Sequence, residues 1–386
     1  MKIKCIASTH VGYTMTKEGA LRLGGKAAGV CYMAGTMDDI LYENSDKTMR
    51  RVGLTLGSGH HSVYEHAQFT LYLEGIPKIL AMILNNEKQF STSEKSARYT
   101  KMKIEGKEKE LYDKWVEKLE NIIKFTYTKM PAAKAKKMAM ENARYFISVF
   151  TPSTNMMYTC NFRQINYILH WCEDYIANEP ETDFTLKVKA VLKDFLAQMQ
   201  YFYVPEMNCS QKPRKLSLFD DKKRKEQWGE VYCVNYEGSL AYLAQAQRHR
   251  TISYSMSFPQ EPKFYVPEIL WNTEGRFEPM KDIEEWQEDM RSIAGNYPQG
   301  LLVNICERGT VENLINKAYE RLCGQAQLEI MRITSQTIKR FILEVECTYP
   351  DIHDELKRID VGSRCNFGWE CNEPCFFGKK AFDRKV

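Results

Sequence analysis

Long apolar runs are missing from this sequence. Across 386 residues no uninterrupted segment approaches the ~20 apolar residues that a membrane-spanning helix needs. The stretch from Met1 to Met15, MKIKCIASTHVGYTM, has a pair of lysines but no continuous apolar core, which argues against a secretory leader. A dominant charge is also lacking: 54 Lys+Arg against 50 Asp+Glu leave a formal net charge of +4. The whole-molecule field therefore gives no reason to expect a nucleic-acid or membrane partner, and any anion site must come from local clustering. Nor is there a disulfide framework. The 12 cysteines are scattered from Cys5 to Cys375, mostly in apolar or helical contexts, as expected of reduced thiols in a cytoplasmic protein.

What is present is ordinary globular composition, 44% hydrophobic and 27% charged, in a chain long enough for two domains. Helical period appears at Leu111, Trp115, Leu119, Ile122 and Ile123, at Leu186, Val191, Leu192, Phe195 and Met199, and at Ala326, Ile330, Ile333, Phe341 and Ile342. Alternating runs at 67–75 and 230–238 read as strands. Helices dominate, so the fold class is α+β. A Lys/Arg-rich stretch containing a proline, 209–229, reads as a solvated basic linker. It separates a first half, 1–208, from a second, 230–346, with a Cys-containing tail at 347–386.

One segment poses a problem. QAQRHRTISYSMSF, Gln245 to Phe258, ends an apolar run with two arginines around a histidine, and three cations on a half-buried helix end call for an anion. The first half holds a parallel, YLEGIPKILAMILNNEKQFSTSEKSARY (72–99), against NYEGSLAYLAQAQRHRTISYSMSF (235–258). Each has an E-G step, an apolar helix and a Ser-rich polar stretch.

Both segments resemble the flavin-dependent thymidylate synthases, whose signature is R-H-R-x-x-S-x-N-E-x-S-x-R-Y. Arg248, His249, Arg250 and Ser253 match its front, while Ser255 and Met256 replace Asn-Glu. In the first half Glu94, Ser96, Arg98 and Tyr99 match its back, while Asn86, Glu87 and Lys88 stand where R-H-R belongs. Ser62, Glu65 and the surrounding His60 and His66 resemble the family's H-x-[ST]-x-x-E-H segment. Ala143-Arg144 resembles its A-R element, and Asn161 with Arg163 its N-x-R element. Arg321, Ala326, Gln327, Glu329 and Ile330 resemble the closing R-x4-A-Q-x-E-I. The losses divide between the halves, which implies two tandem degenerate copies of the synthase fold, helices on a mostly antiparallel sheet, forming a pseudo-dimer.

The resemblance implies reductive methylation of dUMP, with FAD as cofactor and NADPH and methylenetetrahydrofolate as co-substrates. It places Gln245, Arg248, Glu94, Ser96, Arg98, Arg144 and Arg321 on the nucleotide, with Arg98 and Arg144 as phosphate forks suited to a dianion. Ser96 and Arg321 take catalytic roles, Arg321 by favouring charge on the uracil ring. Ser62, Glu65, Asn161, Arg163, Arg248, His249, Arg250 and Asn316 would contact flavin. In the second half Thr310 and Glu312 occupy the N-x-R positions, so one site is complete and its mirror image dead. A homodimer of pseudo-dimers is the implied assembly.

Blander readings stand beside these. R-H-R alone is commonly a solvated helix end, and Asn161 and Arg163 an ordinary surface pair. His60, His61 and His66 suit packing or flavin contact better than metal. Cys365, Cys371 and Cys375, with Cys347 upstream, are either a zinc or iron–sulfur site or free thiols. Two other functions compete: one-carbon transfer to another pyrimidine nucleotide, and a non-catalytic flavin- or nucleotide-binding scaffold.

Overall fold

The computed structural model describes residues 1–10, 14–95, 103–208, 213–220, 224–272, 279–372 and 375–386. In chain order the first elements are β1 (Lys2–Ser8), α1 (Lys17–Tyr32), α2 (Met37–Leu41), α3 (Ser45–Gly57), β2 (Gln68–Ile76), α4 (Lys78–Leu84) and β3 (Ser91–Glu94). Next come α5 (Gly106–Thr126), α6 (Ala132–Ala143), β4 (Thr154–Asn161), α7 (Phe162–Asn178) and α8 (Asp183–Met199). The remainder is β5 (Val231–Ser239), α9 (Leu240–Ala246), β6 (Ser253–Ser257), α10 (Pro279–Ser292), β7 (Leu302–Thr310), α11 (Val311–Arg321), α12 (Leu328–Val345) and α13 (Pro350–Ile359). Helices and antiparallel sheet make up the fold, as the sequence pattern predicts.

Packing divides the chain into Met1–Lys95 with Pro152–Ser217, and Ser96–Thr151 with Leu218–Val386. The halves expected from sequence run straight through; the packed units do not. Helices α5 and α6, from the first half by sequence, fold with the second.

The first unit carries a four-stranded sheet, β1-β2-β4-β3, and the second a three-stranded one, β5-β7-β6. Their build is the same in outline. A leading strand runs into a seven-residue helix (α4 or α9), then into an edge strand, and a later strand inserts antiparallel between the two. Leu71 pairs with Tyr158 across β2 and β4, and Asn235 with Cys306 across β5 and β7. The shared Glu-Gly step serves two needs: Gly75 has φ +61°, whereas a Cβ on Gly238 would meet the Tyr242 ring at 2.9 Å.

In the second unit α5 buries Leu111, Trp115, Leu119 and Ile123, one face of a helix. Trp115 stacks on Phe146 and meets Trp286 of α10 edge-on at 4.8 Å between centroids. On α8, in the first unit, the buried stripe is Phe184, Val188, Leu192, Phe195 and Met199, while Leu186 is exposed. The heptad-like spacing permits two stripes, and packing chose the one offset from Leu186.

The basic segment is more than a solvated connector. Arg214 lies over the Trp171 ring at 3.5 Å and pairs with Glu87, and Leu216 is fully buried. Among the described residues no helix is long and apolar enough to cross a membrane.

Candidate active site

The R-H-R segment is positioned from α9. Ser239 caps that helix, its hydroxyl oxygen accepting from the Tyr242 amide at 2.9 Å. Leu240 to Ala244 and Ala246 are buried, so the helix is fixed before the chain reaches Arg248 and Arg250, which are exposed. His249 turns inward, and Arg321, the last residue of α11, donates from Nε to its Nε2 at 2.7 Å. Burial, then the nearby Arg321 and Lys317 charges, push the His249 imidazole down to about 2. A neutral ring is what accepting from a guanidinium requires. The expected three cations are therefore two, and His249 is an acceptor that holds Arg321 rather than a charge for the flavin.

One turn earlier on α11, Lys317 is fully buried and pairs with Glu307 of β7 at 2.7 Å. Tyr232 donates to Glu307 at 2.6 Å, and Tyr236 also donates to it. Burial lowers the Lys317 amine while Glu307 opposes that shift. This ion pair anchors the α11 end that carries Arg321.

Arg144 follows α6 and lies within the same packed unit. Its Nη2 donates to Oε1 of Gln327, and Gln327 Nε2 donates to the Tyr145 hydroxyl. Tyr145 donates in turn to Glu329 Oε2 at 2.7 Å, and the backbone N–H of Ser239 donates to Glu329 Oε1 at 2.8 Å. Burial raises the Glu329 carboxyl, and these donors hold it back. The A-R element of the first half and the A-Q-x-E-I element of the second thus share one buried hydrogen-bond network. Two predicted nucleotide contacts are left with unused atoms: Gln245 Oε1 and Arg144 Nε are buried and have no hydrogen-bond partner among the described residues.

Other expected residues stand elsewhere. Glu94 is buried in the first unit and paired with Lys78, with Thr154 donating to it at 3.4 Å; its carboxylate is occupied. Asn161 caps α7, its side-chain oxygen accepting from the Gln164 amide at 2.7 Å. Thr310 caps α11 in the same way, so the Asn-to-Thr difference preserves a cap. Arg163 pairs with Glu65, and its guanidinium lies 5.0 Å from the Tyr167 ring centre. Ser62 and Asn316 are exposed. Ser96, Arg98 and Tyr99 lie outside the described residues.

His61 hydrogen-bonds Tyr167 at 3.0 Å and His60 bonds Tyr32 at 2.7 Å, which is packing. Of the two readings of the cysteine tail, a metal site finds no support: among the described residues no three His, Cys, Asp or Glu are arranged to hold an ion. Cys347 is exposed and its described cysteine neighbours are free. Burial, then the nearby Cys371, Cys375 and Cys323 thiols, push the Cys365 thiol up. It stays protonated.

Sequence reasoning missed Tyr145, Ser239, Glu307 and Lys317. The last two carried a signal, charged residues on the apolar faces of β7 and α11.

Comparison with known proteins bears on the class. Residues 13–179 match the family model described as thymidylate synthase complementing protein. The flavin-dependent thymidylate synthase of Pyrococcus abyssi (strain GE5 / Orsay) is 26% identical over 144 residues, 34% of this chain. The chain matches 57% of that relative's length. Two solved structures are similar at 17% identity. One is ThyX from Helicobacter pylori complexed with FAD and dUMP, with TM-score 0.31 over 52% of this chain and 97% of that one. The other is the UMP/dUMP methylase PolB from Streptomyces cacaoi bound with 5-Br dUMP, with TM-score 0.34 over 54% and 92%. Likeness at that distance assigns neither substrate nor cofactor. The relationship to flavin-dependent thymidylate synthases read from the motifs stands on the family model and the curated relative.

Proposed function

We propose that this protein methylates dUMP at C5, with methylenetetrahydrofolate as carbon donor and NADPH as reductant. The observation that carries the reading is the pair of orphaned atoms on two residues already assigned to the nucleotide by motif. Gln245 Oε1 is a buried acceptor and Arg144 Nε a buried donor, each without a partner among the described residues. A buried polar atom without a partner costs about 1–3 kcal/mol, and a polar ligand removes that cost.

In the balanced reaction the methylene carbon bonds to C5 as its two bonds to the folate nitrogens break. Tetrahydrofolate leaves with a proton on each nitrogen, one matching the proton lost from C5 and one from solvent, and a hydride from the nicotinamide, which ends as NADP+, reduces methylene to methyl. FAD, when bound, supplies the redox relay between nicotinamide and carbon. The exposed Arg248 and Arg250 at the end of α9 suit an anionic ring or phosphate. Asn161 and the Arg163–Glu65 pair are already engaged, so the fit to flavin rests on the second unit. Arg321, held by neutral His249, stabilises negative charge developing on the uracil. Arg98 and Ser96 complete the phosphate contacts in this reading.

Tandem duplication is part of the proposal. It is supported by the matched strand–helix–strand order of the two sheets, by the Asn161 and Thr310 caps, and by the Arg144–Gln327 hydrogen bond. The assembly is a homodimer of pseudo-dimers, to be checked by light scattering. Ser255 and Met256, in place of Asn-Glu, leave a second reading in which the acceptor is a different pyrimidine nucleotide.

The decisive assay is tritium release from 5-labelled dUMP, with UMP in parallel, after recording the visible spectrum of purified protein. Yellow protein releasing tritium from dUMP with folate and NADPH supports the main reading. Release from UMP alone moves the activity to the second, and colourless inactive protein leaves a scaffold. Mixing an Arg98→Ala chain with an Arg248→Ala chain then tests complementation between chains.

A further inference from the structure

We infer that a cavity beside α6 in the second unit binds a small phosphate monoester. The cavity is about 310 Å³, the small end of the ~300–1,000 Å³ range of small-molecule sites. One wall is a single stripe of α6, Lys134, Lys137, Met138 and Glu141, spaced to share a helix face. The other is the loop Gly324–Ala326 and Arg384 from near the C-terminus. None of Gln245, Arg248 or Arg321 lines it, so it is separate from the nucleotide contacts above and does not depend on that reading.

Arg384 makes this a built site. Only 2% exposed, it donates from Nη1 to the Gly324 carbonyl and from Nη2 to the Ala326 carbonyl, both at 2.7 Å. Its Nε is buried with no hydrogen-bond partner among the described residues. The loop packs closely there: a Cβ on Gly324 would come within 2.5 Å of Cys375 Sγ.

Charge selects the ligand. Among the described lining residues the cations Lys134, Lys137 and Arg384 stand with one carboxylate, that of Glu141, a positive balance suited to a phosphate dianion. Burial, then the neighbouring Lys137 and Arg384 charges, lower the Lys134 amine against the opposing influence of Cys375, a shift that a bound anion reverses. The pocket is too small for nucleic acid and larger than inorganic phosphate fills, which points to an organic monoester.

The test is calorimetric titration of the full chain against inorganic phosphate and ribose 5-phosphate, with Arg248→Ala in parallel to mark any binding at the nucleotide contacts. Saturable one-to-one binding is expected for both, tighter for the ester. Lys134→Met should weaken it by about tenfold or more, while Lys134→Arg should stay within about threefold, since a second cation preserves the contact. Lys225→Met, on the exposed basic segment, should change nothing. Thermal melts of each variant establish folding. Absence of saturable binding by wild type, equal binding by Lys134→Met, or a phosphate affinity no weaker than that of ribose 5-phosphate overturns the inference.

Discussion

The two short helices that follow the leading strands, α4 and α9, end in opposite chemistry. After α4 the chain reads Asn86-Glu87-Lys88; after α9 it reads Arg248-His249-Arg250. Glu87 is fully buried, its carboxylate accepting from the Ser217 amide at 2.7 Å and from Arg214. That end is closed, because the chain supplies its own counter-charge. At the matching position, His249 accepts from Arg321, and the flanking arginines remain exposed. The same fold element is thus closed by an anionic central side chain in the first unit, and carries a neutral central side chain between exposed arginines in the second.

The strongest challenge to that contrast is a matched pair of substitutions. Arg248→Ala should lower kcat/KM on dUMP by on the order of 10²–10³-fold, while Lys88→Ala should leave it within about twofold; equal losses would remove the asymmetry. Arg144→Ala should cost about tenfold or more and raise KM, with Gln327→Ala showing a smaller loss in the same assay. Glu87→Ala should destabilise the protein by about 1–3 kcal/mol, by stranding the Ser217 N–H and the Arg214 guanidinium. Urea unfolding measures this, and activity per folded molecule should be unchanged.

The pH dependence sharpens the comparison further. The folded His249 imidazole sits near 2 rather than at its ordinary 6.5, so the unfolded chain takes up the proton first. Its contribution is complete above about pH 6.5 and declines as pH falls toward 2. Urea midpoints at pH 7.5, 6 and 5 should fall less steeply in His249→Gln than in wild type. The smallest effect belongs to Asn161→Ala, about 1 kcal/mol from loss of a helix cap, with flavin content unchanged. Release of flavin would restore Asn161 as a ligand.

Much of this was readable from residue order. The α5 stripe and both leading strands follow from period, and the motif residues from the family resemblance. Leu186 misled because α8 offers two overlapping stripes and only packing chooses. The Arg144–Gln327 hydrogen bond was out of reach, since nothing local links residues 183 apart. His249 was misread as a cation because a tripeptide does not disclose burial, and ionisation follows burial. The capping role of Asn161 was not legible, because a cap and a ligand use the same side chain and only the position of the helix start reveals the cap.

The excursion of residues 96–151 into the second unit has a consequence for biosynthesis. As the polypeptide leaves the ribosome, α5 and α6 emerge well before Trp286, Met290 and Ile293, the buried partners of their shared core. Trp115 and Phe146 must wait, uncovered, until some 140 further residues have been made. A gene cut at the basic seam would leave α5 and α6 on one polypeptide and the buried partners Trp286, Met290 and Ile293 on the other, so co-expression would be required to cover their shared core.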